Sequence, residues 1–271
     1  MKRTVFFVSD GTAITAETMG HSLLTQFPTV SFDQVRLPFI DNERKCREAV
    51  RSIDEASQRD GAPAIVFNTI VDPEIRALVN TSHGVILDLF ATYLTPLEKA
   101  LDTRHKPTVG QAHGLANLSR YEDRMEATNY ALTHDDGISV DFSDADLVLV
   151  GVSRSGKTPT CLYMALHYGV KAANYPLTPE DLDEMRLAPF LRRFKYKLVG
   201  LTIDPERLVQ IRQTRKPGSK YASLRQCRRE VEAAENLLRM EGIPMFEATH
   251  ASIEEICGRV LLQLGLQREM F

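Results

Sequence analysis

The chain has only four cysteines in 271 residues, Cys46, Cys161, Cys227 and Cys257, and no two of them form a C-x-x-C pair. That scarcity argues against a zinc knuckle and a dense disulfide framework, and it fits a reducing cytoplasm. Long apolar runs are missing as well. The N-terminal run Thr4-Val5-Phe6-Phe7-Val8 stops at Ser9-Asp10-Gly11, too short for a secretory leader or a membrane span, and no later segment reaches the required length. An excess of one charge is also absent, since 33 Lys and Arg stand against 36 Asp and Glu for a formal net charge of −3. Neither nucleic acid nor a membrane is therefore an expected partner. No internal repeat or low-complexity stretch stands out.

With 43% hydrophobic and 25% charged residues, the chain can fill one large α/β domain or two smaller ones. β-rich runs alternate with helical periodicity: strands over Thr4 to Val8, Ser31 to Leu37, Ala64 to Asn68 and Gly84 to Phe90, and helices over Ala13 to Gln26, Asn42 to Gln58 and Pro73 to Val79. A further helix is expected from Thr95-Pro96, because proline suits a first helical turn. Between Asp102 and Ser119 the pattern lapses into a loop rich in charged and turn-forming residues, followed by a helix over Tyr121 to Thr133 and a turn at His134-Asp135-Asp136-Gly137. The last part supplies strands at Val170 to Pro176, Lys197 to Ile203 and Pro244 to Ala248. The expectation is an N-terminal α/β lobe over 1–102, a connecting loop and helix over 103–140, and over 141–271 a kinase-like lobe with a mostly parallel sheet.

The most informative stretch is Gly151-Val152-Ser153-Arg154-Ser155-Gly156-Lys157-Thr158, which meets the pattern G-x-x-x-x-G-K-[ST] at every fixed position. An apolar run, Ala145 to Val150, leads into it, and an amphipathic helix ending at Gly169 follows. Two glycines let backbone N–H groups turn toward a phosphate chain, Lys157 adds a point charge on the terminal phosphoryl oxygens, and the Thr158 hydroxyl can ligate Mg²⁺. A nucleotide is the expected ligand. Arg154 could clamp a phosphate or face solvent. Asp204, at the end of a strand, could organise Mg²⁺ or a water as a catalytic carboxylate, or cap the helix that Pro205 begins. Asp10 carries the same ambiguity, with Gly11 and Thr12 hinting at a second anion-binding turn. Arg212, Arg215, Arg225, Arg228 and Arg229 read either as a lid over phosphates or as a solvated face paired with Glu230, Glu232 and Glu235. His113 and His134 lie in expected loops and read as hydrogen-bonding residues or as phosphotransfer groups.

The phosphate-loop block, extended by Pro159-Thr160 and by Lys171-Ala172-Ala173-Asn174-Tyr175-Pro176-Leu177, resembles that of the bacterial phosphoenolpyruvate synthase regulatory proteins. The segments Val8-Ser9-Asp10-Gly11-Thr12, Arg124-Met125-Glu126-Ala127 and His134-Asp135-Asp136-Gly137 fit the same family, so the resemblance spans nearly the whole chain. The related branch acting on pyruvate, phosphate dikinase is less similar around Thr160 to Leu162. The resemblance implies a bifunctional cytoplasmic regulator. An ADP-dependent kinase activity would phosphorylate a threonine beside the catalytic histidine of phosphoenolpyruvate synthase, releasing AMP. A phosphorylase activity would remove the group with inorganic phosphate, releasing pyrophosphate. The N-terminal lobe would then offer docking surface to the target. The same loop would also serve an ATP-dependent small-molecule kinase or a non-enzymatic nucleotide sensor. A homo-oligomer is compatible with the sequence, which does not set the oligomeric state.

Overall fold

The computed structural model describes residues 2–106 and 118–266. The chain divides into two compact units, Met1–Gly114 and Leu115–Phe271.

The first unit runs β1 (Lys2–Val8), α1 (Ile14–Leu24), β2 (Ser31–Leu37), α2 (Glu43–Asp60), β3 (Ile65–Asn68), α3 (Pro73–Val79), β4 (Val85–Asp88) and α4 (Leu89–Leu101). Its four strands are all parallel in the order β2-β1-β3-β4. Parallel strands need helical crossovers, which cover both faces, and β1 is accordingly apolar without interruption from Val5 to Val8. The two-residue period then divides these side chains: Phe6 and Val8 join Val66 and Ile53 on one face, whereas Val5 and Phe7 join Phe67 and Ala16 on the other. Asn42 and Asp72 cap α2 and α3 through bonds to Lys45 N at 3.1 Å and Glu74 N at 2.8 Å.

The expected strand over Gly84 to Phe90 ends at Asp88, and the helix expected from Thr95-Pro96 begins at Leu89. Asp88 is the reason. Its carboxylate accepts from Ala91 N at 2.8 Å, which stops the strand and caps α4, leaving Pro96 inside the helix.

The second unit runs α5 (Leu118–Thr133), β5 (Leu147–Gly151), α6 (Lys157–Tyr168), β6 (Ala172–Pro176), α7 (Pro179–Asp183), α8 (Pro189–Arg192), β7 (Leu198–Thr202), α9 (Pro205–Arg215), α10 (Leu224–Met240), β8 (Met245–Glu247) and α11 (Ile253–Leu264). Its parallel sheet is ordered β6-β5-β7-β8, so the two sheets repeat one strand order. All five residues of β5 are buried. Val148 and Val150 face the layer holding Leu208 and Leu237, and Leu147 and Leu149 face the layer holding Met164 and Val260. β5 lies between β6 and β7, where crossovers leave in opposite directions, and the crevice at its carboxyl end is where such sheets take ligands. Among the described residues no helix is long and apolar enough to cross a membrane.

Gly151 ends β5 where no side chain fits, because a Cβ there would stand 2.2 Å from the Leu201 carbonyl oxygen. Gly151→Ala is expected to destabilise the fold by about 3 kcal/mol, since the obstacle is backbone and cannot rotate away. Urea unfolding followed by circular dichroism measures this.

Candidate functional site: a glycine-lysine loop and its carboxylate turn

Residues 151–158 join the end of β5 to the start of α6. Gly156 occupies the N-cap position with φ 96°, a conformation in which L side chains are strained, and no side chain caps the helix. The first N–H groups of α6 are thus left for an anion, with the helix dipole behind them. The loop folds back through a bond from Ser155 N to Val152 O at 3.3 Å. Arg154, whose side chain is exposed, also sits in the left-handed region at φ 75°. The Ser155 hydroxyl is buried and has no partner among the described residues.

Lys157 is 3% exposed, and its Nζ donates to the Val152 carbonyl at 2.8 Å. Burial pulls its pKa down from 10.5 to about 8, although the nearby carboxylates of Asp136 and Asp135 oppose the shift. The lysine is therefore a desolvated cation held at the base of the loop, close to two acids.

Those acids come from the turn after α5. The Thr158 hydroxyl donates to Asp135 Oδ1 at 2.7 Å, and Asn174 Nδ2 donates to the same oxygen. Asn174, fully buried on β6, also accepts from Asp136 N at 3.1 Å, and its own N–H donates to the His134 carbonyl at 3.2 Å. One asparagine thus straps the turn to the sheet and sets a carboxylate beside the loop threonine. Asp136, one residue on, is exposed. The pairing of Thr158 with Asp135 is the oxygen-donor arrangement that suits Mg²⁺, which takes one or two carboxylates and completes its shell with phosphates and water. No group of three or more His, Cys, Asp or Glu among the described residues could hold a metal unaided.

The other residues singled out from the sequence have different surroundings. Asp204 Oδ1 accepts from Glu206 N at 2.8 Å and Arg207 N at 3.0 Å, which caps α9, and Asp204 N donates to Thr249 Oγ1 at 2.7 Å. Asp10 Oδ2 accepts from Val71 N at 2.6 Å and so ties the first turn of its unit to the loop before α3. Ser9 Oγ accepts from Gly11 N at 3.1 Å. His134 stacks on Tyr130 with ring centroids 3.8 Å apart, and His113 lies outside the described residues. The arginines divide: Arg228 pairs with Glu206, Arg229 pairs with Asp183, Arg215 and Arg225 are exposed, and Arg212 is wholly buried against Glu230.

Asp135 and Asn174 had no individual signal in the sequence. The turn was visible, but Asp135 lies 23 positions before Thr158 and Asn174 lies 39 beyond Asp135. The adjacency of β6 to β5 and the packing of α5 on α6 bring them together.

Anion affinity is expected to fall as pH rises through about 8, where Lys157 loses its proton. Sulfate is the probe, because its charge is constant there; calorimetry on either side of that pH should show the loss, and Lys157→Met should abolish the pH dependence. The same depressed pKa makes the burial of Lys157 destabilising at lower pH, a cost that disappears as pH rises from about 8 to 10.5.

The family model for kinase/pyrophosphorylases matches residues 5–261. A Stenotrophomonas maltophilia (strain K279a) protein named "Putative phosphoenolpyruvate synthase regulatory protein" is 55% identical over 269 residues, covering 99% of this chain and 98% of its own length. Proteins of the same name from Pseudomonas aeruginosa (strain LESB58) and Ectopseudomonas mendocina (strain ymp) are 52% identical over 269 residues and 51% identical over 271. The first alignment covers 99% of this chain and 98% of the relative, and the second covers 100% of each. With a G-x-x-x-x-G-K-T loop at the carboxyl end of a parallel sheet and a family match along nearly its whole length, the chain belongs to the kinase/pyrophosphorylase family.

Proposed function

We propose that this chain is a bifunctional regulator of phosphoenolpyruvate synthase. In one direction it transfers the β-phosphoryl group of ADP to a threonine hydroxyl of that enzyme, releasing AMP and a proton and switching the enzyme off. In the other it transfers the phosphoryl group from the phosphothreonine to inorganic phosphate, restoring the hydroxyl and releasing pyrophosphate. The family description and the names of the relatives support the kinase chemistry and the target.

The observation that carries the reading is the convergence of Lys157, Thr158 and Asp135 on one phosphate loop. Phosphoryl transfer depends on positioning and charge neutralisation more than on covalent chemistry. The loop amides would hold the α- and β-phosphates, and the Lys157 ammonium would neutralise the group in transit. Asp135 has one oxygen engaged by Thr158 and Asn174, whereas Asp136 is exposed beside it and is the carboxylate free to take the proton of the incoming hydroxyl. Thr158 and Asp135 would hold Mg²⁺, which supplies charge neutralisation on the phosphate oxygens. Asp204, with one oxygen committed to the start of α9, takes no step in this scheme. Both reactions draw on the same anion cradle, with inorganic phosphate replacing the diphosphate.

The test is transfer from β-labelled ADP to purified phosphoenolpyruvate synthase, beside γ-labelled ATP. Label on a target threonine from ADP, with AMP formed, is expected; labelling from ATP alone would make the protein a conventional kinase, and nucleotide binding without labelling would make it a sensor. Lys157→Ala should lower both activities by about 100-fold or more, and retention of full phosphorylase activity would overturn the single shared site. Asp136→Asn should lower kcat at least about 100-fold while leaving ADP affinity within about twofold.

A further inference from the structure

Arg212 in α9 is wholly buried, and it has the largest volume among the fully buried side chains of the described residues. A guanidinium withdrawn from water is costly unless its donors are matched; here both terminal nitrogens are matched, whereas Nε has no partner among the described residues. Its Nη2 donates to the Ser153 carbonyl at 3.1 Å and to Glu230 Oε2 at 2.6 Å, and its Nη1 donates to the Tyr221 carbonyl at 3.0 Å. The guanidinium lies over the Tyr221 ring, 3.9 Å from its centroid, and the Tyr221 hydroxyl donates to Ser153 Oγ at 3.0 Å. Gln226 Nε2 holds the other oxygen of Glu230 at 2.8 Å. Ser153 is therefore gripped by both its carbonyl and its hydroxyl, by residues that follow β7.

The grip falls on a particular peptide plane. The Ser153 carbonyl shares its plane with the Arg154 N–H, and no peptide bond in the described chain is cis, so fixing the carbonyl toward Arg212 aims that N–H the opposite way. The next torsion in the chain is φ of Arg154, at 75°. A non-glycine residue holds that conformation only where its surroundings over-determine it.

We propose that Arg212 and Tyr221 are positioning residues of the phosphate loop. Arg212 holds the Ser153–Arg154 plane through the carbonyl, and Tyr221 fixes the Ser153 side chain and the guanidinium that grips it; together they keep Arg154 left-handed and set the loop amides before an anion arrives. The proposal rests on the reading of the loop as the phosphate site. It predicts a link between a helix pair and anion affinity that passes through one backbone conformation rather than through general stability.

The experiment uses Tyr221→Phe, which keeps the ring under the guanidinium and removes only the bond to Ser153, and Arg212→Lys beside it. Each is made in two backgrounds that both lack the Arg154 guanidinium, Arg154→Ala and Arg154→Gly. Calorimetry gives Kd for ADP and for inorganic phosphate, and amide hydrogen exchange without ligand reports on residues 153–156. In the Arg154→Ala background Tyr221→Phe should raise both Kd values about 3- to 10-fold and speed exchange across the loop. In the Arg154→Gly background the rise should shrink below about twofold, because glycine takes the left-handed conformation unaided. Equal losses in the two backgrounds would show that the effect does not pass through Arg154 and would overturn the proposal. Unchanged Kd and exchange in both variants would leave Arg212 a purely structural residue and overturn it too. If the unsubstituted protein bound neither ADP nor phosphate, the phosphate-loop reading would fall and this proposal with it.

Discussion

A cation taken out of water must find oxygen, and the loop over residues 151–158 is built around two such cations. Lys157 and Arg212 are both buried, and the oxygens they find include the successive carbonyls of Val152 and Ser153. Because a peptide C=O and its N–H point in opposite directions, engaging these carbonyls fixes where the neighbouring amides face. The direction in which the loop amides face is thus set by what its carbonyls do. Glycine at 151 and 156 permits the path, and the two buried cations choose one conformation along it.

The sheet makes that arrangement possible. β5 is central, so its carboxyl end has neighbours on either side: β6 contributes Asn174 and with it the Asp135 turn, while the helices after β7 contribute Arg212 and Tyr221. One side brings the Asp135 carboxylate to Thr158, the other brings a guanidinium to Ser153. Opposite signs thus approach the loop from opposite edges, while Arg212 is a like charge to Lys157 and adds to the lowering of its pKa. The lowered pKa of Lys157 reflects the same balance, with burial outweighing the attraction of Asp136 and Asp135.

Much of this was legible in the sequence because it is local. The G-x-x-x-x-G-K-T block carries its own geometry, and the helix starts at Asn42, Asp72 and Ser252 announce themselves by side chains that bond to amides two or three residues on. What was not legible depends on partners far along the chain. Asp204, at a strand end before proline, had the sequence features of a metal-binding acid and also those of a cap, and the structure shows its bonds to the helix amides. Asp135 sat in a turn whose meaning comes from Asn174 on a neighbouring strand. Arg212 belonged to a run of arginines that reads as a solvated face, and most of that run is solvated; the ring of Tyr221, the carboxylate of Glu230 and the carbonyls of Ser153 and Tyr221 distinguish it. Asp88 shows the same limit on a smaller scale, since its cap shortened a strand that hydrophobicity alone would have extended. The common strand order of the two sheets left no trace as a sequence repeat.

The span between Ser153 and Glu230 also bears on how the site comes into being during synthesis. A nascent chain that has emerged only through Gly169 already contains every residue of the phosphate motif, yet β7, the arginine of α9, the tyrosine beyond it and the glutamate of α10 have still to appear. In a parallel sheet none of these contacts can form before the intervening crossovers are made. The hold on Ser153 is therefore made late in translation, and a chain cut short before α9 would carry the motif without it.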